Sequence, residues 1–166
     1  MTFVPGDGAL RSHRGGMDSG TLLPVVVGVD GSDSSLDALR YAAKIASALG
    51  APLRAITTWD YPPLVDLYTN AEWSPDENAE STLETSIKMV FATDPPVEMT
   101  AVIIAGPPAA ALIEESRKAE MLVLGSRGRG GFASLVLGSV SSTCVAHAHC
   151  PVLIVRHRSG PEDEDQ

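Results

Sequence analysis

The fold of this chain is decided by the stretch MLVLGSRGRGGFASLVLGSVSSTCV, residues 121–145. A short apolar run ends at Gly125, a glycine-rich loop follows, and Gly138-Ser139 opens a segment whose apolar residues have helical spacing. Glycine lets backbone N–H groups approach an anion without interference from a Cβ atom. The first N–H groups of a helix lack partners within it and lie at the positive end of its dipole. The stretch therefore predicts a strand, a loop and a helix start that together bind an anion, most often phosphate.

Length and composition limit the class of protein. The chain has 166 residues, of which 44% are hydrophobic and 20% charged, and this fits one globular domain. Its formal net charge of −9 disfavours nucleic acid as a partner, because nonspecific nucleic-acid binding needs a basic face. Two cysteines are too few for a disulfide scaffold, so we expect a reducing, cytoplasmic compartment. We expect no membrane partner, since no apolar run reaches the roughly 18 residues of a membrane helix.

The rest of the chain alternates between apolar, β-branched runs and segments with helical spacing. Predicted strands occupy residues 22–29, 53–59, 97–104, 121–124 and 151–155, and predicted helices occupy residues 36–49, 79–91, 109–118 and 139–147. Such alternation predicts parallel strands joined by right-handed crossovers. We therefore expect an α/β fold with three layers, α/β/α, around a five-stranded parallel sheet, similar to a Rossmann fold. Residues 1–21 are expected to form a flexible polar arm, and residues 159–166 an acidic tail.

Two chemical signals fall at the ends of predicted strands. Asp30 follows the first strand, and Gly125 follows the fourth. Ligands of open parallel sheets lie beyond the C-terminal strand ends, where the strand order reverses, so both residues are expected on one rim. Asp30 either caps the turn after it or contacts a ligand. As a ligand contact it would accept hydrogen bonds from ribose hydroxyls or hold a phosphate-bound Mg²⁺ through water.

The spacing Gly125-x2-Gly128-x9-Gly138-Ser139 resembles the G-x2-G-x9-G-S/T motif of ATP-binding universal stress proteins. The similarity extends over residues 22–158 and includes GVDGS at 28–32, GPPA at 106–109 and CPVLIV at 150–155. The resemblance implies a universal stress protein domain over residues 22–158, with a fold like that of the adenine nucleotide alpha hydrolases. It also implies ATP as the ligand, with or without Mg²⁺. Finally, it implies a homodimer formed by antiparallel pairing of the last strand, through Val152, Leu153, Ile154 and Val155.

The resemblance further implies roles around the nucleotide. Asp30 would lie near the ribose and the adenine, and the backbone of Thr57 and Thr58 would meet the adenine. The glycine loop and the helix start would hold the ribose and the phosphates. Arg127 and Arg129 are either phosphate contacts or solvated loop charges. The predicted cofactor-binding residues are Gly28, Val29, Asp30, Thr57, Thr58, Gly125, Arg127, Gly128, Gly138, Ser139, Val140 and Ser141.

Other readings of the same residues were weighed. The loop is not a Walker A motif, because no Gly-Lys-Ser/Thr follows, and the fit of residues 128–133 to G-x-G-x-x-A lacks the expected acidic residue about 20 positions later. Ser139 either caps its helix or faces the phosphates. Trp59 and Trp73 either line an adenine pocket or pack the connection between them, and packing is preferred. Two cysteines and two histidines lie close together near the end of the chain: Cys144, His147, His149 and Cys150. A structural zinc site needs four ligands closed around the metal, and these residues are not predicted to form one.

These features predict an ATP-binding, nucleotide-dependent regulatory protein of the stress response. Little or slow hydrolysis is expected, because no lysine accompanies the loop and no serine–histidine–acid set is evident. No catalytic residue and no metal ligand is predicted. The alternatives are a nucleotide-using enzyme of the same α/β class, such as an adenylating or hydride-transfer enzyme, a protein that binds a cyclic nucleotide, and an interaction module without a ligand.

Overall fold

The computed structural model describes residues 2–5, 22–60, 74–92, 94–128 and 137–157. Along this part of the chain, strands and helices alternate in the predicted order. The elements are β1 (Thr2–Pro5), β2 (Val25–Gly28), α1 (Asp33–Leu49), β3 (Leu53–Trp59), α2 (Pro75–Phe91), β4 (Met99–Ala105), α3 (Pro108–Glu115), β5 (Met121–Gly125), α4 (Ser139–His147) and β6 (Val152–Val155). A 3-10 turn, Ser116–Lys118, follows α3 directly.

All described strands pair in parallel, in the spatial order β1-β4-β3-β2-β5-β6. Strands β2 to β6 form the expected five-stranded parallel sheet, so the predicted α/β/α fold is confirmed. From β2 the chain first builds outward through β3 and β4 and then returns to add β5 and β6 on the other side. The order therefore reverses between β2 and β5, which is where a ligand site is expected in such a sheet.

The sheet carries one strand more than predicted. The expectation of a flexible arm is wrong for Thr2–Pro5, which pairs with β4 in the register Thr2↔Thr100. Phe3 and Val4 have high strand propensity, and Pro5, which has no N–H group, is tolerated at a sheet edge. Pairing also covers an edge that β4 would otherwise expose. The rest of the predicted arm and the predicted acidic tail lie outside the described residues.

The centre of the sheet is covered on both faces. Val25, Val26 and Val27 of β2 are each 0% exposed. Because strand side chains alternate between faces, Val25 and Val27 pack with residues of α1 and α2, whereas Val26 packs with residues of α3 and α4. A strand buried on both faces has a continuous apolar sequence, and this is why residues 25–27 are recognisable as part of a buried strand.

Both ends of α1 are capped by residues suited to the position. The N-cap residue is Ser32, whose Oγ accepts a hydrogen bond of 3.3 Å from the backbone N–H of Ser35. The helix ends at Gly50, which adopts a left-handed conformation with φ of 69°. Because α1 begins five residues after β2 ends, its first turn lies at the C-terminal end of β2. Within the described part of the chain, no helix is both long and apolar enough to cross a membrane.

Candidate functional site

A cleft of about 740 Å³ opens at the C-terminal edge of the sheet, where β2, β3 and β5 end. This volume lies within the range of small-molecule pockets, roughly 300–1,000 Å³. The structure brings all twelve predicted cofactor-binding residues to the wall of this one cleft. The described part of the wall also contains Ser35, Ile56, Trp59, Asp60, Pro75, Asn78, Ala79, Thr82, Pro108, Leu112 and Leu124.

Asp30 caps the turn that follows β2, and its contact with a ligand stays a prediction. Its Oδ1 accepts hydrogen bonds from the N–H of Ser32 at 3.0 Å and from the Oγ of Ser32 at 2.6 Å. Its Oδ2 faces the glycine loop, because a Cβ atom built on Gly128 would lie 2.5 Å from it. A side chain at 128 would therefore displace this carboxylate from its place against the loop.

The first turn of α1 holds the entrance of the loop. The hydroxyl group of Ser34 donates to the carbonyl oxygen of Arg127. The Oγ of Ser32, which donates its proton to Asp30, lies 3.4 Å from the same carbonyl oxygen. A Cβ atom on Gly125 would lie 2.7 Å from the backbone carbon of Ser34 and 2.8 Å from its carbonyl oxygen. Helix α1 therefore rests directly on the end of β5. This role of Ser34 was missed, since the pattern of residues 31–34 indicates only a turn and a cap.

The N-terminus of α4 forms another part of the wall. Gly138 is the N-cap and no side chain caps the helix, so the interpretation of Ser139 as a cap is wrong: it is the first helical residue. The backbone N–H groups of the first turn have no partner within the helix, and its residues Ser139, Val140 and Ser141 line the cleft. These amides, at the positive end of the helix dipole, provide an electrostatic environment suited to an anion.

Two hydrogen bonds fix the start of α4 against the end of β5. The Oγ of Ser141 donates to the carbonyl oxygen of Gly125 at 2.7 Å, and both residues are buried. The N–H of Gly138 donates to the carbonyl oxygen of Ser126 at 2.8 Å. A buried hydrogen bond is costly to break because it leaves a polar group without a partner. The geometry of the helix start is therefore set by the strand, before any ligand is bound.

The opposite side of the cleft is formed by the end of β3. The Oγ1 of Thr57 donates to the carbonyl oxygen of Val29 at 2.8 Å, so this side chain joins β3 to β2. Thr58 and Trp59 follow it on the cleft wall. The preferred interpretation of Trp59 as a packing residue therefore missed its place at the cleft. Trp73 lies outside the described residues.

Helix α2 contributes a wall that we did not predict. Pro75, Asn78, Ala79 and Thr82 all line the cleft. No motif marks these residues. Their only signal is spacing, since they fall at i, i+3, i+4 and i+7 and so share one face of the helix. Polar residues at 78 and 82 on that face, beside an apolar stripe, were the sign that could have been used.

The charges on the described wall are few. Asp30 and Asp60 are its acids, Arg127 is its cation and is exposed, and it contains no lysine or histidine. Arg129 lies outside the described residues. In the described part of the chain, no three His, Cys, Asp or Glu side chains are placed to hold a metal ion. Cys144 is instead buried in the core between the sheet and α4, and this burial raises the pKa of its thiol to about 11.

Comparisons with known proteins identify relatives. Residues 22–156 match the universal stress protein family. A universal stress protein of Methanocaldococcus jannaschii is 34% identical over 139 residues, which cover 80% of this chain and 81% of the relative. One of Mycolicibacterium smegmatis is 36% identical over 140 residues, which cover 82% of this chain and 46% of the relative. The chain thus spans about half the length of the mycobacterial relative.

Solved structures of universal stress proteins have a similar fold. A universal stress protein in complex with cAMP has a TM-score of 0.62 and 29% identity, with 84% of this chain and 100% of that chain covered. A universal stress protein of Archaeoglobus fulgidus in complex with dAMP has a TM-score of 0.59 and 21% identity, with 81% and 98% covered, and it shows the fold alone. The family match over residues 22–156 takes in β2 to β6 and every described residue of the cleft wall. This chain is therefore a member of the universal stress protein family.

Proposed function

We propose that the cleft binds an adenine nucleotide, with ATP as the favoured ligand, and that the protein is a nucleotide-dependent component of a cytoplasmic stress response. The observation that carries this proposal is the first turn of α4, which has no capping side chain and faces the same cleft as Gly128. Main-chain N–H groups at a helix N-terminus favour phosphate. The complex of a structural relative, 29% identical, with cAMP supports an adenine nucleotide.

The width of the site supports a nucleotide. Strands β3 and β5 lie on either side of β2. Since neighbouring strands are about 4.8 Å apart, the ends of β3 and β5 are separated by about 10 Å. A nucleotide can span this distance with its base at the end of β3 and its phosphates at the loop and α4. Thr57 and Thr58 would then meet the base, Gly28 and Val29 would lie beneath the ribose, and Gly125, Gly128, Gly138 and Ser139 would surround the phosphates.

Asp30 is proposed to act between these two ends. A carboxylate accepts several hydrogen bonds, and the acceptor chemistry of Asp30 suits either ribose hydroxyls or a water of phosphate-bound Mg²⁺. Comparing the ATP affinity of the wild type and Asp30→Asn in Mg²⁺ and in EDTA separates the two roles. If Asp30 serves Mg²⁺, the substitution removes the effect of the ion. If Asp30 serves the ribose, the affinity falls equally in both solutions.

Slow hydrolysis is part of the proposal. Rapid phosphoryl transfer depends on groups that stabilise charge in the transition state and orient the nucleophile. The described wall supplies one cation, Arg127, and no lysine or histidine. We expect ATP turnover far below the typical enzyme value of about 10 s⁻¹, measured as phosphate release from purified protein in excess ATP. Turnover near that value would favour the alternative of a nucleotide-using enzyme.

Equilibrium dialysis with labelled ATP tests the binding site directly. Gly128→Glu places a side chain where Asp30 already stands and adds a negative charge beside the proposed phosphates. We expect at least a hundredfold loss of affinity. Ser142→Glu is the matched control, because it adds the same charge on an exposed residue of α4 that does not line the cleft. Equal ATP affinity in the wild type and in folded Gly128→Glu would overturn the site.

Binding of a cyclic nucleotide is the second candidate, favoured by the structural relative in complex with cAMP, which is 29% identical. The same dialysis with ATP, ADP, AMP and cAMP as competitors ranks the ligands. A lower Kd for cAMP than for ATP would make the cyclic nucleotide the ligand of this cleft.

The family resemblance also supports a proposed homodimer through Val152, Leu153, Ile154 and Val155, which form the edge strand β6.

A further inference from the structure

The wall that α2 contributes to the cleft has a chemical character of its own. Asn78 and Thr82 lie one helical turn apart and line the cleft, Asn78 exposed and Thr82 half-buried. Within the described part of the chain, neither side chain takes part in a hydrogen bond. Their polar groups are therefore available to a ligand. Pro75 and Ala79 lie beside them and are buried, which gives this wall an apolar surface around two polar positions.

This wall lies on the side of the cleft proposed for the base, away from the side proposed for the phosphates. Helix α2 packs against β3, whose end forms the side of the cleft away from Gly128 and α4. The hydroxyl of Thr57 is occupied by the carbonyl of Val29, so at this position β3 offers the base its backbone. A purine has polar atoms along more than one edge. Side chains of α2 are placed to read an edge that the β3 backbone does not reach.

We infer that Asn78 is the base-reading residue of this cleft, with Thr82 as a second polar contact one turn along α2. The inference rests on the proposed nucleotide site and names its base selectivity. An asparagine amide carries a donor and an acceptor side by side, which is the complement of the amino group and adjacent ring nitrogen of adenine. The threonine hydroxyl both donates and accepts, so it can pair with a neighbouring ring nitrogen.

The test compares ATP with purine riboside triphosphate, which lacks only the 6-amino group. The wild type is expected to prefer ATP by about tenfold, the scale of a good bidentate contact to a base. Asn78→Ala should abolish that preference. Ser81→Ala, an exposed neighbour on the same helix that does not line the cleft, should retain it. Thr82→Val should weaken both ligands, and Thr85→Val, an exposed threonine outside the cleft, should weaken neither.

A change of specificity makes the test sharper. Asn78→Asp replaces the amide donor with a second acceptor, which matches the two neighbouring N–H donors of guanine and opposes the ring nitrogen of adenine. In Asn78→Asp the ratio of GTP affinity to ATP affinity should be at least tenfold higher than in the wild type. The added negative charge weakens both triphosphates alike, so its general effect cancels in this ratio. Failure of the wild type to bind any adenine nucleotide would overturn the proposed function. Tight ATP binding, with an unchanged preference in Asn78→Ala and Asn78→Asp, would overturn this inference alone.

Discussion

Glycines of the motif are required for different physical reasons. At Gly125 a Cβ atom would meet the backbone of Ser34 at 2.7 and 2.8 Å, and backbone cannot move aside without shifting α1. At Gly138 the nearest atoms would lie at 3.6 Å or more, which is an ordinary contact distance. Gly125 is thus needed for packing of the fold, whereas Gly138 leaves room for a small side chain. The motif alone does not separate these roles.

Gly125→Ala is predicted to destabilise the protein more than Gly138→Ala. Overpacking against backbone typically costs about 1–3 kcal/mol, so we expect a loss of that size in the free energy of unfolding for Gly125→Ala. For Gly138→Ala we expect less than about 1 kcal/mol, which is the typical cost of an unfavourable N-cap residue. Urea unfolding of both variants measures the difference. Equal losses would mean that α1 does not rest on the end of β5 as described.

Cys144 links the core to the pH dependence of stability. Its thiol is 0% exposed, and burial raises its pKa from 9.0 to about 11. When the pKa of a group is higher in the folded than in the unfolded state, its contribution to stability is fully present at pH values below the pKa of the unfolded state. That contribution is lost as the pH rises through the folded value. For Cys144 the loss is therefore confined to pH values from about 9 to about 11.

The prediction compares the wild type with Cys144→Ala. At neutral pH the wild type should be the more stable, because the alanine leaves a cavity. The difference in unfolding free energy should shrink by about 1–3 kcal/mol between pH 8 and pH 11, given about 1.4 kcal/mol for each unit of pKa difference. Urea unfolding at stepped pH values measures both proteins under the same conditions. Parallel pH profiles would show that the thiol is not protected from ionisation by burial.

At the scale of the secondary-structure elements, the free amides in the first turn of α4 affect both the stability of the helix and its affinity for an anion. Ser139 is exposed at the first helical position, and the helix has neither a capping side chain nor an acidic residue in its first turn. A negative charge there would stabilise the helix through its dipole. The same charge would occupy the field proposed to attract phosphate. Stability and ligand affinity should therefore respond to it in opposite directions.

Ser139→Asp is predicted to raise the free energy of unfolding by about 0.3–1 kcal/mol while weakening ATP binding at least tenfold. Ser142→Asp is the control, since it lies on the same helix, is exposed and does not line the cleft. It should leave the ATP affinity unchanged. Urea unfolding and equilibrium dialysis on the same preparations give the two quantities. A stabilised variant with unimpaired ATP binding would place the phosphates elsewhere.

The boundaries of helices and strands were predictable where the apolar periodicity stops at a residue that typically begins or ends an element. Both ends of β3 and of α4 match the prediction. The first predicted strand began too early, at residue 22, because the apolar pattern does not show that Leu22 and Leu23 are each 48% exposed. Helix α2 begins at Pro75, four residues before the predicted start. Proline is favoured at the first helical position, but the prediction followed the apolar stripe alone.

At the scale of the molecule, the sequence predicts the part of the cleft that is made by turns at strand ends. Those turns carry glycine, aspartate and serine at positions where backbone geometry demands them. The α2 wall was not predictable in the same way, because it depends on where a whole helix crosses the sheet after a long connection. Asn78 and Thr82 belong to no motif, and their spacing does not show that their face of α2 lies at the cleft, which depends on how α2 packs against β3.

The proposed homodimer depends on the free edge of β6. The N–H of Leu122 donates to the carbonyl of Pro151 at 2.9 Å, and the N–H of Ser126 donates to the carbonyl of Val155 at 2.7 Å. Backbone polar groups of successive strand residues point to alternate sides, so residues 151, 153 and 155 face β5. The backbone groups of Val152 and Ile154 therefore point to the open edge, where a second copy would pair antiparallel with them.

Val152→Pro is predicted to convert the dimer to a monomer without unfolding it. Proline removes an N–H that points away from β5, so the ladder within the chain is kept while a bond across the dimer is lost. Leu153→Pro is the contrasting variant: it removes an inward N–H and should lower the free energy of unfolding by about 1–3 kcal/mol. Sedimentation velocity gives the mass, and ATP affinity should be unchanged in Val152→Pro because β6 does not line the cleft. A wild type that is monomeric at all concentrations would remove the dimer proposal, and a dimeric Val152→Pro would place the interface on another surface.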